Sequence, residues 1–197
     1  FSTGPGWAYD YDYLLAAFRA NLGWGYLPKP GDVVIDVGAG VGEELLVFSR
    51  GIGENGKLLA IEAHPKTFDA LQYNARQNRI SNVELINKAI SDVPGSIFID
   101  DNANSLGKTI SKESKSSVVK VDAVTLDDLI EGHRLDRVDF IKVNIEGAEQ
   151  LLVKGMRRSA PIIQNMAVSC HDFRYKNEGV EFFKTKQIVK EALNDFG

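Results

Sequence analysis

Three glycines at alternate positions, Gly38, Gly40 and Gly42, follow an acidic residue, Asp36, at the end of an apolar run. Glycine lets a backbone turn sharply and lets a ligand come close, at a cost in chain entropy that a binding site would justify. Where such a loop opens a helix, free N–H groups face whatever the loop holds. A second acid, Glu62, lies about 20 residues beyond the last glycine. At the end of a strand its carboxylate can accept hydrogen bonds from both hydroxyls of a ribose. The chemistry of this pair of features is nucleoside binding, with a tight turn and a helix-capping acid as the plainer alternative.

The spacing G-x-G-x-G differs from the G-x-G-x-x-G of dinucleotide sites, where a pyrophosphate sits on the helix N-terminus. Asp36 would repel a pyrophosphate. It suits the ammonium of a zwitterionic aminoacyl sulfonium, so S-adenosylmethionine is expected in preference to a dinucleotide. Asp36, Gly38, Ala39, Gly40 and Glu62 are the expected cofactor contacts, with Ala63 and His64 following Glu62 at the same strand end.

Other reactive groups fall after two later strands. Asn144 and Glu146 follow one, and His171, with Asp172 after it, follows the next. Methyl transfer from a sulfonium needs an aligned nucleophile and in some cases a base for its proton. Asn144 can orient a hydroxyl or an ammonium but cannot be a base. Glu146 can be a base or a helix cap. His171 has the ordinary pKa of a general base, and a loop histidine with no role is the alternative. His133 reads as a surface residue. Asp10 and Asp12 read as parts of an amphipathic helix, with a substrate lid as the alternative. No His/Asp/Glu set has metal-ligand spacing, so no metal is expected.

These groups need a scaffold that brings strand ends together. Short apolar runs at Val33–Val37, Leu58–Glu62, Val83–Ile86, Phe140–Ile145 and Ile162–Ser169 read as strands. Helical patterns fill the gaps: one from Glu43 to Ser49, one opened by Pro65, and one from Glu146 to Lys154 closed by Gly155. Tyr11–Leu22 and Lys184–Phe196 read as first and last helices. Ser96–Ile99 and Val118–Val121 read as a strand pair, and Thr125 as a helix cap. Alternating strands and helices imply an α/β doubly wound, mainly parallel sheet in a single domain of residues 1–197, with residues 1–30 as a helical segment before the core. Ligands of such sheets bind at the carboxyl ends of the strands.

Ile35–Gly42, Ile61–Pro65, Asn87–Asp92, Val124–Leu129 and Asp139–Glu149 together resemble, in sequence and order, the FkbM family of S-adenosylmethionine-dependent methyltransferases. The Thr125–Leu129 block followed by Ile141-Lys142 and Glu146-Gly147-Ala148-Glu149 is the specific part. The resemblance implies a class I, Rossmann-like methyltransferase fold and an enzyme acting on hydroxyl oxygens of small molecules or sugars. It places the Lys88-Ala89 turn beside the adenine and makes Asp36, Gly38, Gly40 and Glu62 cofactor contacts. It expects aspartate where Asn144 stands. Class I enzymes, which the sequence resembles, end in an antiparallel strand pair, and the sequence leads us to expect five main strands without that pair. Alternatives are a methyltransferase acting on RNA or protein, or a non-catalytic nucleoside-binding module.

Hydrophobic residues at 44% and charged residues at 25% of 197 indicate one ordinary globular core. A net charge of −4 disfavours nucleic acid as a partner. The Lys108, Lys112, Lys115 and Lys120 cluster reads as a solvated loop. No apolar run approaches membrane length. One cysteine, Cys170, permits no internal disulfide, and no secretory leader pattern is seen, so a cytoplasmic setting is expected.

Overall fold

The β-branched runs between turn residues pair as parallel strands. A computed structural model describes residues 10–23, 25–101 and 118–196. Lys108, Lys112 and Lys115 therefore lie outside the described residues, while Lys120 is exposed on a strand. The chain divides into two compact units interleaved in sequence. One comprises the residues up to Asn87 with 137–143 and 163–167, and the other comprises 88–136, 144–162 and the residues from Val168 on.

The first unit holds β1 (Val33–Val37), β2 (Lys57–Ile61), β3 (Val83–Ile86), β7 (Phe140–Val143) and the start of β8 (Met166–Val168), in the order β3-β2-β1-β7-β8. Val33–Val37 pairs in parallel register with Lys57–Ile61 on one side, and Val34–Val37 with Phe140–Val143 on the other. The strand order reverses at β1, as in doubly wound sheets, so the end of β1 is where a ligand is expected. Burial of nearly every residue of β1, β2 and β7 explains why these runs are continuously apolar rather than alternating.

Helices α1 (Tyr11–Asn21), α2 (Leu45–Ile52) and α3 (Pro65–Gln77) bury one stripe each in the core of this unit, through Leu14 and Phe18, Leu45 to Phe48, and Leu71 and Ala75. The Phe18, Phe48 and Phe140 rings meet edge to face with centroids 5.2 to 6.2 Å apart, a favoured aromatic geometry. Asp10 caps α1 by accepting from the Tyr13 N–H at 2.7 Å, which supports the helix reading of this segment. Helix α2 starts two residues later than expected, because Gly42 has φ +92° and the chain turns before it can wind.

The second unit contains a three-stranded sheet, β4 (Ala89–Ile90), β6 (Val118–Val124) and β5 (Gly95–Asp100), in that order. The expected pair is present as antiparallel β5 and β6, and β4 adds to it in parallel. Helix α4 (Leu126–Gly132) is capped by Thr125, whose hydroxyl accepts from the Asp128 N–H at 3.0 Å. His133 closes that helix.

Helices α5 (Glu149–Lys154), α6 (Asp172–Glu178) and α7 (Lys186–Phe196) complete the second unit. Helix α5 begins three residues later than its pattern suggests. Glu146 and Gly147 have φ +55° and +102°, both incompatible with an α-helical start. Gly155 does close α5, but at φ −91°, so left-handed geometry is not the reason for glycine there. A Cβ at this position would stand 2.4 Å from the Ser91 carbonyl oxygen.

The fifth main strand is shorter than expected. Pro161 lies in a 3-10 turn at Ala160–Ile162, and the Asn165 side chain donates to the Asp139 carbonyl at 3.0 Å ahead of Met166. Helix α6 was not expected, since its seven residues carry no apolar period. No helix among the described residues is long and apolar enough to cross a membrane.

Candidate functional site

The glycine loop is fastened to the end of β2. The N–H groups of Gly38 and Ala39 both donate to the Ile61 carbonyl at 2.9 Å. Gly38 and Gly40 take φ +76° and +57°, which glycine adopts without strain. A Cβ built on Gly40 would meet nothing within 4 Å, so open space lies over the loop at that residue.

Glu62 sits one residue past β2 and is 9% exposed. Its Oε2 accepts from the Gly40 N–H at 3.0 Å and its Oε1 from the His64 N–H at 2.9 Å. The side chain is thus fixed against the glycine loop, and each oxygen keeps a further lone pair. Burial raises its pKa, against the two N–H bonds that lower it. Asn87 holds the same turn from beneath, donating to the Glu62 and Ala63 carbonyls at 2.8 and 3.1 Å. Asn87 was not expected in this role, although it stands just before the Lys88-Ala89 turn.

Asp36 is placed otherwise than expected. Its carboxylate is fully enclosed, and Lys142 Nζ lies 2.9 Å from Oδ1 while also donating to the Gly38 carbonyl at 2.7 Å. Lys142, itself 2% exposed, occupies the place that the sequence reading gave to a ligand's ammonium. Asp36 therefore supports the loop through Lys142. Burial raises the Asp36 pKa to about 6 despite Lys142. Burial lowers that of Lys142, but Asp36 and then Glu44, 3.8 Å away, more than reverse this. Both shifts are upward, for Asp36 because burial outweighs its attraction to Lys142, and for Lys142 because the carboxylates around it outweigh burial. Both groups are charged at neutral pH. A lysine inside the apolar Phe140-Ile141-Lys142-Val143 run was the available signal, since a lysine in a buried strand must be paired.

His64 is 2% exposed and reaches Glu62 through its backbone N–H. Ala39 is buried and Ala63 partly so. These groups, with Gly38 and Gly40, gather in the first unit.

The second unit gathers Glu146 and His171. His171 is 3% exposed, with Nδ1 2.8 Å from Glu149 Oε1 and Nε2 3.3 Å from Glu146 Oε1. Arg174 Nη1 reaches the other Glu146 oxygen at 3.2 Å. Burial pushes the His171 pKa down, but the two carboxylates more than reverse this and raise it to about 9. That corrects the expectation of a general base, because an imidazolium at neutral pH has no lone pair to accept a proton. The His171 contact holds the Glu146 carboxyl below its ordinary range against burial, with Arg174 adding to it. Glu146 is not a helix cap. The N-cap of α5 is Ala148, with no side-chain cap hydrogen bond, and Glu149 is the acid of its first turn. Asn144 is exposed, Lys88 is exposed and Ala89 is buried in β4. Among the described residues no group of three or more His, Cys, Asp or Glu could hold a metal ion.

The raised His171 pKa makes stability depend on pH. Its contribution is fully present below the ordinary histidine value of 6.5 and is lost as pH rises through about 9. Urea unfolding of the wild type is expected to weaken over that interval, and His171→Asn to remove this part of the slope. Equal slopes in both proteins would contradict the assignment.

The FkbM methyltransferase domain model matches residues 36–196. A hexuronic acid methyltransferase, AglP, of Haloferax volcanii is 25% identical over 161 residues, covering 82% of this chain and 62% of that protein. A probable cobalt-precorrin-6B C(15)-methyltransferase of Saccharolobus solfataricus is 25% identical over 142 residues, covering 66% of this chain and 70% of that protein. The crystal structure of an FkbM methyltransferase from Methylobacillus flagellatus aligns with a TM-score of 0.55 at 18% identity, over 83% of this chain and 42% of that one, and supports the class I fold. The chain spans less than two thirds of the length of the first of these relatives. With the family model covering both the glycine loop and the Glu146–Glu149 segment, the chain belongs to the FkbM family of S-adenosylmethionine-dependent methyltransferases.

Proposed function

We propose that the chain is the catalytic part of an O-methyltransferase that methylates a hydroxyl of a small molecule or sugar, working as one domain in the cytoplasm. The observation that carries this reading is the Glu62 carboxylate, fixed by Gly40 and His64 at a strand tip beside open space over the loop. Glu62 would hold the ribose hydroxyls of S-adenosylmethionine, and Gly38 to Gly40 would line its path. The Lys88-Ala89 turn would lie by the adenine. The cofactor supplies an electrophilic methyl group on a sulfonium. Family membership supports the reaction type. The hexuronic acid relative supports a sugar-like acceptor, whereas the C(15)-methyltransferase relative leaves carbon as the competing atom.

On this reading Asn144 orients the acceptor hydroxyl or the cofactor's ammonium. Glu146 accepts a hydrogen bond from that hydroxyl and takes its proton as it becomes acidic. His171, already protonated, holds Glu146 in place. A carboxylate held below its ordinary pKa is a weak base, which suffices where positioning does most of the work.

The test uses S-adenosylmethionine with a labelled methyl group, offered with sugars and sugar acids, with RNA and with protein. Label is expected in a hydroxylated small molecule as a base-stable ether, with Asn144→Asp changing the rate less than tenfold. Label in RNA or protein would replace the acceptor class. Cofactor binding without any transfer would favour a non-catalytic nucleoside-binding module.

A further inference from the structure

Behind His171 lies a carboxylate that the proposed reaction does not use. Glu149 is 0% exposed. Its Oε1 accepts from the Ile145 and Gly147 N–H groups at 3.3 and 3.2 Å and faces His171 Nδ1 at 2.8 Å, while Oε2 is buried with no hydrogen-bond partner among the described residues. The only cation against this enclosed charge, among the described residues, is His171. The other ring nitrogen faces Glu146. A neutral imidazole has one donor and one acceptor nitrogen, and an acceptor nitrogen pointed at a carboxylate oxygen is repelled. Both nitrogens must therefore donate.

The segment between the two acids is clamped. Glu146 has φ +55°, a strained value for a residue with a side chain, and such strain persists only where surroundings fix it. A Cβ on Gly147 would stand 2.7 Å from the Phe183 ring. The Arg174 guanidinium lies over that same ring at 4.0 Å and reaches Glu146. Phe183, Arg174 and the Glu149 carboxylate thus hold the Glu146-Gly147 turn from several directions.

We propose that Glu149 is a positioning residue of the acceptor site: through Oε1 it fixes the Ile145–Gly147 backbone and the His171 ring together, so that the His171 Nε2–H holds the half-buried Glu146 carboxylate in one orientation. Glu149 acts through His171 and touches no substrate itself. The proposal rests on the reading of Glu146 as the group that meets the acceptor hydroxyl. Other charged or titratable groups near His171 do not compete for its ring nitrogens. Asp172 is committed to Thr185 and the Lys186 N–H, and Arg174 pairs with Glu146 and Glu178. Cys170 precedes His171 in the chain, and Thr185 Oγ1 accepts from the His171 backbone N–H at 3.2 Å.

The experiment is NMR of the full chain with nitrogen-labelled histidine, with His171→Asn to assign the signals. In the wild type at neutral pH both His171 ring nitrogens are expected to be protonated. Glu149→Gln should weaken the proton affinity of His171 at least about tenfold. In methyl transfer the same variant should lower kcat about 10- to 100-fold, with KM for S-adenosylmethionine within about twofold. A neutral His171 in the wild type, an unmoved titration in Glu149→Gln, or an unchanged kcat would each overturn the proposal. If Glu149→Gln does not fold, the wild-type spectrum decides. A wild type that transfers no methyl group contradicts the proposed function alone, because the spectra need no substrate.

Discussion

Lys142→Met is expected to destabilise the chain by about 3–5 kcal/mol, the usual cost of removing one partner of a buried ion pair. The Lys142 ammonium is 2.9 Å from Asp36 and donates to the Gly38 carbonyl, with both side chains shut away from water. Methionine fills the volume but leaves the Asp36 carboxylate enclosed with no cation. Asp36 must then take up a proton or draw in water, and either disturbs the loop above it. Adding Asp36→Asn to Lys142→Met removes the stranded charge and should recover most of the loss. Denaturant unfolding of the four proteins completes the cycle. A loss under about 1 kcal/mol for Lys142→Met, or losses that simply add in the double variant, would show that the pair does not hold the loop.

The second large effect belongs to Glu62. Glu62→Ala should weaken S-adenosylmethionine binding by about one to two decades, since a hydrogen bond to a charged group contributes roughly 1.5–3 kcal/mol. Two causes act together. The variant loses the free lone pairs offered to a ribose, and it releases the Gly40 and His64 N–H groups that now share the carboxylate. Glu62→Gln keeps one acceptor oxygen, so its affinity should fall between the two. Calorimetric titration gives the affinities, with a thermal melt of each variant to confirm folding. Unchanged affinity in a folded Glu62→Ala would remove this residue from the cofactor site.

Much of the sheet was legible because buried parallel strands are apolar without interruption, as in Val33–Val37 and Phe140–Val143. The glycine loop and Glu62 were legible because spacing alone sets their relation along the strands. Contacts that depend on side-chain direction were not. Lys142 reads as an exception in a strand, and only the fold shows that it points at Asp36. The sequence pattern places Glu146 at a helix start, but the left-handed pair Glu146-Gly147 moves the helix to Glu149. His171 carries no local signal of its two carboxylates, because Glu149 lies far from it in the chain and meets it only by tertiary packing.

The most direct test is a crystal structure of the chain grown with S-adenosylhomocysteine. The nucleoside should lie over Gly38 to Gly40, with both ribose hydroxyls within about 3 Å of the Glu62 carboxylate and Lys142 still paired with Asp36. A nucleoside bound elsewhere, or a ribose out of reach of Glu62, would contradict the cofactor site proposed for this chain.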